Sequence, residues 1–187
     1  MSASRSLRAW MVAIAVVVAS GIGGLAYFQP QKLFLNERHD DPLPRVAATT
    51  TGAAPNLPGG RQVALTGELG SLEHQSSGRV RLIALADGSR ILRFEALQTS
   101  NGPDLHVYLT SVPASSSWYG YDRDFIDLGS LKGNLGNQNY AVPRSVDLAR
   151  YRTAVIWCKQ FAVGFAVASL ADASSQLTAT VTGLTVA

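Results

Sequence analysis

The chain has 187 residues, a formal net charge of +3 and one cysteine, Cys158, so a disulfide within the chain is excluded. Residues 61–187 hold eleven basic and ten acidic residues, so this part of the chain is almost neutral. It has no dense basic face of the kind that binds phosphate backbones, and we expect no nucleic-acid partner.

The N-terminal segment predicts a membrane anchor. Residues 9–28 carry no charge, and a helix of this length at about 1.5 Å per residue spans roughly 30 Å, the thickness of the hydrocarbon core. Arg5 and Arg8 precede it without an acidic residue, which places residues 1–8 in the cytoplasm. The sequence therefore predicts a single-pass protein of the plasma membrane whose C-terminal domain is extracytoplasmic.

A cleaved signal peptide is the alternative for the same segment. Its basic start, apolar run and small residues at Ala19, Ser20 and Gly21 suit cleavage. The apolar run continues to Phe28, and this length favours an uncleaved signal-anchor. Under either alternative we expect export of the following domain.

Residues 29–60 predict a flexible stalk. This segment is polar around 36–41 and then rich in proline, alanine and threonine. Such a composition buries too little apolar surface to offset the entropy that ordering the chain would cost. We expect a spacer between the membrane and the domain.

Residues 61–187 predict one all-β domain, because alternating or apolar runs are separated by turns about every ten residues. Asp87 and Gly88 predict a hairpin, and residues 132–139, rich in glycine and asparagine, predict a turn region. The expected fold is a single antiparallel β-sandwich. Predicted strands cover residues 79–84, 90–97, 105–109, 126–131, 153–158, 161–170 and 177–182.

Three blocks of this domain carry a resemblance to a known family. They are Asn-Gly-Pro-Asp-Leu-His-Val-Tyr-Leu at 101–109, the glycine- and asparagine-rich run with its flanks at 127–143, and the apolar strands at 155–168. In their order and spacing the chain resembles the DM-thirteen, or "electron transfer DM", domain over about residues 64–171. The resemblance implies an all-β domain of the bacterial envelope with a redox role, centred on a cysteine that aligns with Cys158.

Cys158 is the first candidate site residue. With period two it shares a strand face with Ile156, while Trp157 and Lys159 take the other face. As a small buried hydrophobe it would have a raised pKa and be inert. Beside a positive group such as Lys159 it would form a thiolate able to exchange with a partner disulfide. Both alternatives stay open.

His74 and His106 are weaker candidates for cofactor binding. Two imidazoles and one thiolate are the equatorial ligands of a blue-copper centre, but no methionine follows Met11 and no histidine follows Cys158. Both absences argue against copper, and haem would need histidine or cysteine as its ligand. Both imidazoles also suit ordinary half-buried positions with a hydrogen bond.

Two functions follow from these residues. The first is a membrane-anchored redox or electron-transfer domain that works with a redox protein partner through Cys158. The alternative is a non-catalytic binding or adhesion module in which Cys158 is part of the core. A haem carrier lies between the two.

Overall fold

The structure is a computed structural model that describes residues 3–28, 35–43, 56–57 and 61–173. The predicted strand at 177–182 lies outside the described residues. The helix α1 spans Ala3–Phe28, and its side chains at 10–23 are exposed. Among the described residues, no helix combines the length and the hydropathy that a membrane crossing requires.

Apart from α1, the described chain consists mainly of β-strands and the turns and loops that join them, as predicted. The strands are short and belong to two sheets. They are β1 (Arg38–Asp40), β2 (Asn56–Leu57), β3 (Arg61–Glu68), β4 (Gly70–Ser71), β5 (Ser77–Ala84), β6 (Arg90–Gln98), β7 (Leu105–Thr110), β8 (Phe125–Ser130), β9 (Leu135–Val142), β10 (Thr153–Cys158), β11 (Val163–Ser169) and β12 (Ala171–Asp172).

The two sheets differ in size and share one core. The larger has the order β1-β9-β6-β5-β3-β12, with β2 also paired to β3, and the smaller has the order β4-β11-β10-β7-β8. Among the strands that the structure describes, every pair is antiparallel except β1 with β9, which is parallel and departs from the predicted all-antiparallel arrangement. The shared apolar core takes buried side chains from both sheets, so the fold is a β-sandwich.

A second apolar cluster covers the outer face of the smaller sheet. Alternation along β10 places Ile156 and Cys158 in the core between the sheets and Val155 and Trp157 in the outer cluster. The segment between β7 and β8 contributes Tyr121, which is fully buried there. Strand β10 is consequently buried on both faces.

The hairpin predicted at Asp87 and Gly88 is confirmed. It joins β5 and β6, and the Leu85 N–H donates to the Ser89 carbonyl at 2.9 Å. Gly88 has φ +78°, a left-handed conformation that glycine adopts without steric cost.

The turn region predicted at 132–139 is wrong over its second half, because β9 begins at Leu135 and pairs with β6. Its buried positions alternate, as in a strand, but one of them is a polar residue, Gln138. The Gln138 amide donates to the Gly133 carbonyl at 2.7 Å and accepts from the Tyr140 hydroxyl at 2.6 Å. Pairing with the distant strand β6 therefore overrides the local turn propensity.

The expectation of a flexible stalk at 29–60 needs correction at residues 35–43, which lie along β9. Asp41 is one of the residues that hold the segment there. Lys132 Nζ donates to its carboxylate at 2.5 Å, the Asn139 N–H donates at 2.8 Å, and His39 Nε2 lies 2.9 Å away. The physical reason is that hydrogen bonds and an ion pair hold the segment on β9. A prediction based on apolar content does not detect such contacts. Apart from 35–43 and β2, the predicted stalk lies outside the described residues.

These contacts change the acidity of Asp41. Partial burial acts to raise the pKa of its carboxyl group, but hydrogen bonds from Lys132, Asn139 and His39 outweigh burial and lower the pKa to about 2. Because the folded state holds the charged form more tightly than the unfolded chain does, Asp41 contributes stability above its unfolded pKa.

We expect Asp41→Asn to lower the free energy of unfolding at neutral pH by up to about 2 kcal/mol. The Asp41 contribution should disappear in the unaltered protein as the pH falls from about 4 to about 2. Urea unfolding across this pH range measures both effects. Glu68→Gln, at an exposed pair with Arg79, is the control and should change the free energy by less than about 1 kcal/mol. Equal losses in the two variants would contradict the prediction.

Candidate functional site

Cys158 is the last residue of β10 and faces the core between the sheets. Its side chain is fully buried, with an exposed fraction of 0%, and the thiol is free. Leu105 is its partner on β7, and Val163 is its partner on β11. The sequence-based prediction that Cys158 and Ile156 share a strand face is confirmed.

Two opposing effects act on the pKa of the Cys158 thiol. Burial raises the pKa of Cys158, and hydrogen bonding from the backbone of Phe161, Asp104 and Gln160 acts in the other direction without reversing the rise. The thiol is therefore protonated at neutral pH in the closed structure, and a protonated buried thiol is a poor nucleophile.

A short turn covers the sulfur at the end of β10. The turn runs from Lys159 to Ala162, between β10 and β11, and it is largely exposed. Phe161 has an exposed fraction of 53%, and Ala162 has φ +52°, which is unfavourable for a residue with a Cβ atom. The turn that contacts the sulfur through the backbone of Gln160 and Phe161 thus carries local backbone strain at Ala162.

Lys159 does not approach the sulfur as a cation. Its Nζ lies 3.6 Å from Asp127 Oδ2, on the outer face of the sheet. The hypothesis that Lys159 supplies a positive charge to Cys158 is therefore not supported by the closed structure.

His106 lies on the outer face of the smaller sheet, between carboxylates. Its Nδ1 is 2.9 Å from Asp127 Oδ1, and its Nε2 is 3.2 Å from Asp104 Oδ1 and 3.3 Å from Ser130 Oγ. Partial burial acts to raise the pKa of Asp127, but hydrogen bonds from His106 and the Gly129 N–H bring it below its ordinary value. His106 thereby joins β7 to β8 through side chains.

His74 lies elsewhere, in the turn between β4 and β5. Its ring packs on Phe165 of β11 with centroids 4.0 Å apart, and its Nε2 is 3.9 Å from the Glu73 carboxylate. About a third of the side chain is exposed. The ring is packed as in an ordinary half-buried position.

The three candidate copper ligands are not arranged around a common point. His106 is on the outer face of the sheet, Cys158 is in the core, and His74 is against Phe165. Within the described residues, no group of three or more His, Cys, Asp or Glu side chains is arranged to hold a metal ion. Both ring nitrogens of His106 already face hydrogen-bond partners, which also disfavours it as a haem ligand.

Sequence reasoning missed an aromatic cluster on the face of β10 opposite to Cys158. Tyr108 stacks on Phe125 with centroids 4.2 Å apart, and Trp157 lies 6.2 Å from Tyr108 and 6.4 Å from Tyr121. Burial and the nearby charge of Asp127 raise the pKa of Tyr108 to about 12. Period two along β7 and β10 was the signal, since it places Tyr108 and Trp157 on the same outer face.

A family model described as electron transfer DM13 matches residues 68–170. The matched stretch contains His74, His106 and Cys158, whereas α1 and β1 lie outside it. Comparison with the curated proteins and with the solved structures gave no match.

We expect Asp127→Asn to lower the free energy of unfolding at neutral pH by up to about 1 kcal/mol, because Asp127 holds both His106 and Lys159. Its pKa is lowered in the folded state, so this contribution is present above about pH 4 and is lost as the pH falls through the folded pKa. Thermal unfolding between pH 2 and 7 measures it. Asp122→Asn, outside this cluster, is the charge-matched control, and identical pH profiles for the two variants would refute the assignment.

Proposed function

Because the chain belongs to the electron transfer DM13 family, we propose that its β-sandwich is an electron-transfer module in which Cys158 is the redox-active group. The family match, which spans the whole strand pair around Cys158, is the observation that carries the proposal. Because Cys158 is the only cysteine in the chain, the second sulfur of a disulfide exchange belongs to another molecule. The partner is a redox protein with a disulfide or dithiol.

Access to the sulfur comes from opening of the turn at 159–162. This turn is exposed and contains the strained Ala162, while β10 itself is buried on both faces. Segments with few buried contacts open at lower free energy than the whole domain. Opening also removes the apolar surroundings that raise the pKa of Cys158, so the pKa returns toward the ordinary value of about 8.5 and the thiolate fraction rises in the open state.

The chemistry is thiol–disulfide exchange. After the thiol proton passes to solvent, the Cys158 thiolate attacks a partner disulfide; a Cys158–partner disulfide forms and one partner thiolate leaves. A donor dithiol then attacks Cys158 Sγ and releases the second partner thiolate. The other donor thiolate attacks the donor sulfur and frees Cys158. The donor is oxidised to a disulfide, the partner is reduced, and two electrons have moved.

A non-catalytic binding module is the second candidate, favoured by the complete burial of Cys158 in the closed structure. The segment between β7 and β8 also presents Trp118 and Tyr119, with exposed fractions of 42% and 63%. Tyr121 fixes this segment, because its hydroxyl accepts from the Ser115 N–H and donates to the Ser115 carbonyl. Rigid exposed aromatic side chains are common at binding surfaces.

The location of the domain is part of the proposal. Residues 9–28 are uncharged, Arg5 and Arg8 precede them, and the side chains at 10–23 of α1 are apolar or small and exposed. We propose that this segment anchors the protein in the plasma membrane with the sandwich on the extracytoplasmic side. An oxidising compartment suits a thiol that exchanges with disulfides.

We expect Cys158 of the folded full-length protein to form a mixed disulfide with oxidised glutathione faster than the domain unfolds globally. The reason is that opening of the 159–162 turn exposes the sulfur while both sheets remain intact. Mass spectrometry of the quenched reaction gives the labelling rate, and chevron kinetics give the unfolding rate. Cys158→Ala is the control for labelling elsewhere.

Labelling that only keeps pace with global unfolding would refute the redox proposal and favour the binding module. Cys158→Ala also reports the packing of the residue, since a core role predicts a loss of about 1–2 kcal/mol in the free energy of unfolding.

For the location, we expect the full-length protein to stay with the membrane pellet after alkaline carbonate washing of cells that express it. A variant with Val16→Asp and Ile14→Asp should move to the supernatant, because each charge opposes insertion. Arg61→Gln, which removes a charge outside the proposed anchor, is the control. Release of the unaltered protein by carbonate would overturn the anchor.

A further inference from the structure

The outer edge of β9 holds residues 35–43 through backbone hydrogen bonds of the kind found between strands. β1 runs parallel to β9. The Leu135 N–H donates to the Glu37 carbonyl at 3.2 Å, and the Asp41 N–H donates to the Asn137 carbonyl at 2.6 Å. We call residues 35–43 the latch.

Carboxylates of the latch complete the ladder in place of backbone carbonyls. The N–H and the side-chain amide of Asn137 both donate to Asp40 Oδ1, at 2.9 and 2.8 Å. The Asn139 N–H donates to Asp41 Oδ2 at 2.8 Å, and Lys132 Nζ reaches the same oxygen at 2.5 Å. This edge therefore selects two consecutive carboxylates on an extended chain.

Two glycines leave space for the latch backbone. A Cβ atom at Gly133 would lie 2.5 Å from the Glu37 carbonyl oxygen, and one at Gly136 would collide with the His39 carbonyl oxygen. Gly136 also has φ +103°, which favours glycine. The glycines and asparagines of 132–139 thus form a surface complementary to the latch.

The latch buries little apolar surface. Leu35 and Leu43, at its two ends, have exposed fractions of 65% and 40%. The contacts of Asp41 contribute up to about 2 kcal/mol, and the entropy cost of ordering nine residues offsets much of this contribution. Such a segment can detach while the sandwich, whose core does not include it, stays folded. The latch also lies outside the family match, whereas β9 lies within it.

We propose that the edge of β9 is a binding site for an extended peptide with two consecutive carboxylates, and that the latch occupies it as a detachable ligand within the same chain. Binding is by strand addition, with backbone hydrogen bonds for affinity and the Asp40 and Asp41 carboxylates for selection. Release would leave three N–H groups of the β9 edge, those of Leu135, Asn137 and Asn139, open to solvent. The proposal does not depend on the redox role of Cys158.

Amide hydrogen exchange of the full-length protein tests the site. In the variant with Asp40→Ala and Asp41→Ala we expect the Leu135, Asn137 and Asn139 amides to exchange at least tenfold faster. The Val155 amide, in central strand β10, should be unchanged and is the internal control. Gly133→Ala displaces the latch sterically with all charges kept, and should expose the same three amides.

A synthetic peptide with the sequence of residues 35–43 provides the second arm. Added to the Asp40→Ala, Asp41→Ala variant, it should restore protection of the three amides, and the same peptide with Asn at the position of Asp41 should not. Unchanged amide exchange in both the Asp40→Ala, Asp41→Ala variant and the Gly133→Ala variant would overturn the proposal. So would equal protection by the two peptides, failure of the native peptide, or global unfolding of both variants.

Discussion

Burial of β10 on both of its faces is the constraint on which the rest of the structure depends. All six residues from Thr153 to Cys158 are buried, between β7 on one side and β11 on the other. Since alternate side chains point to opposite faces, one strand supplies both the core between the sheets and the aromatic cluster outside. The strand has no freedom to shift by one residue, because such a shift would exchange Cys158 with Trp157.

The same constraint shapes the chemistry proposed for Cys158. Cys158 is the last residue of a strand buried on both faces, its side chain lies in the core between the sheets, and the exposed turn at 159–162 follows it directly. Its reactivity then depends on how often a few exposed residues move, and the resting acidity of the thiol has little bearing on the rate. A buried thiol of this kind is protected from indiscriminate oxidation in an oxidising compartment, and a partner that binds the turn would gain selective access.

The sequence predicts the sandwich well because the signals for strands and turns come from residues close together in the chain. Alternation in β7 and β10 and the turn at Gly88 identify strands and faces without knowledge of the partners. The failures are non-local. Leu135 to Asn139 resemble a turn until the contacts of Asn139 with the distant Asp41 and Arg93 are known. The pairing of His106 with Asp127 joins residues 21 apart in sequence. The composition of 35–43 does not indicate that the Asp40 and Asp41 carboxylates accept hydrogen bonds from N–H groups of β9.

Docking of the latch also sets how far the sandwich can move from α1. With the latch in place, the chain between Phe28 and Leu35 extends at most roughly 25 Å. With the latch detached, the first strand still paired within the larger sheet is β2, and the chain from Phe28 to Asn56 extends up to roughly 100 Å. If α1 lies in the membrane as proposed, the docked latch holds Cys158 close to the lipid surface. Loss of the Asp40 and Asp41 contacts would let Cys158 reach partners farther from the membrane.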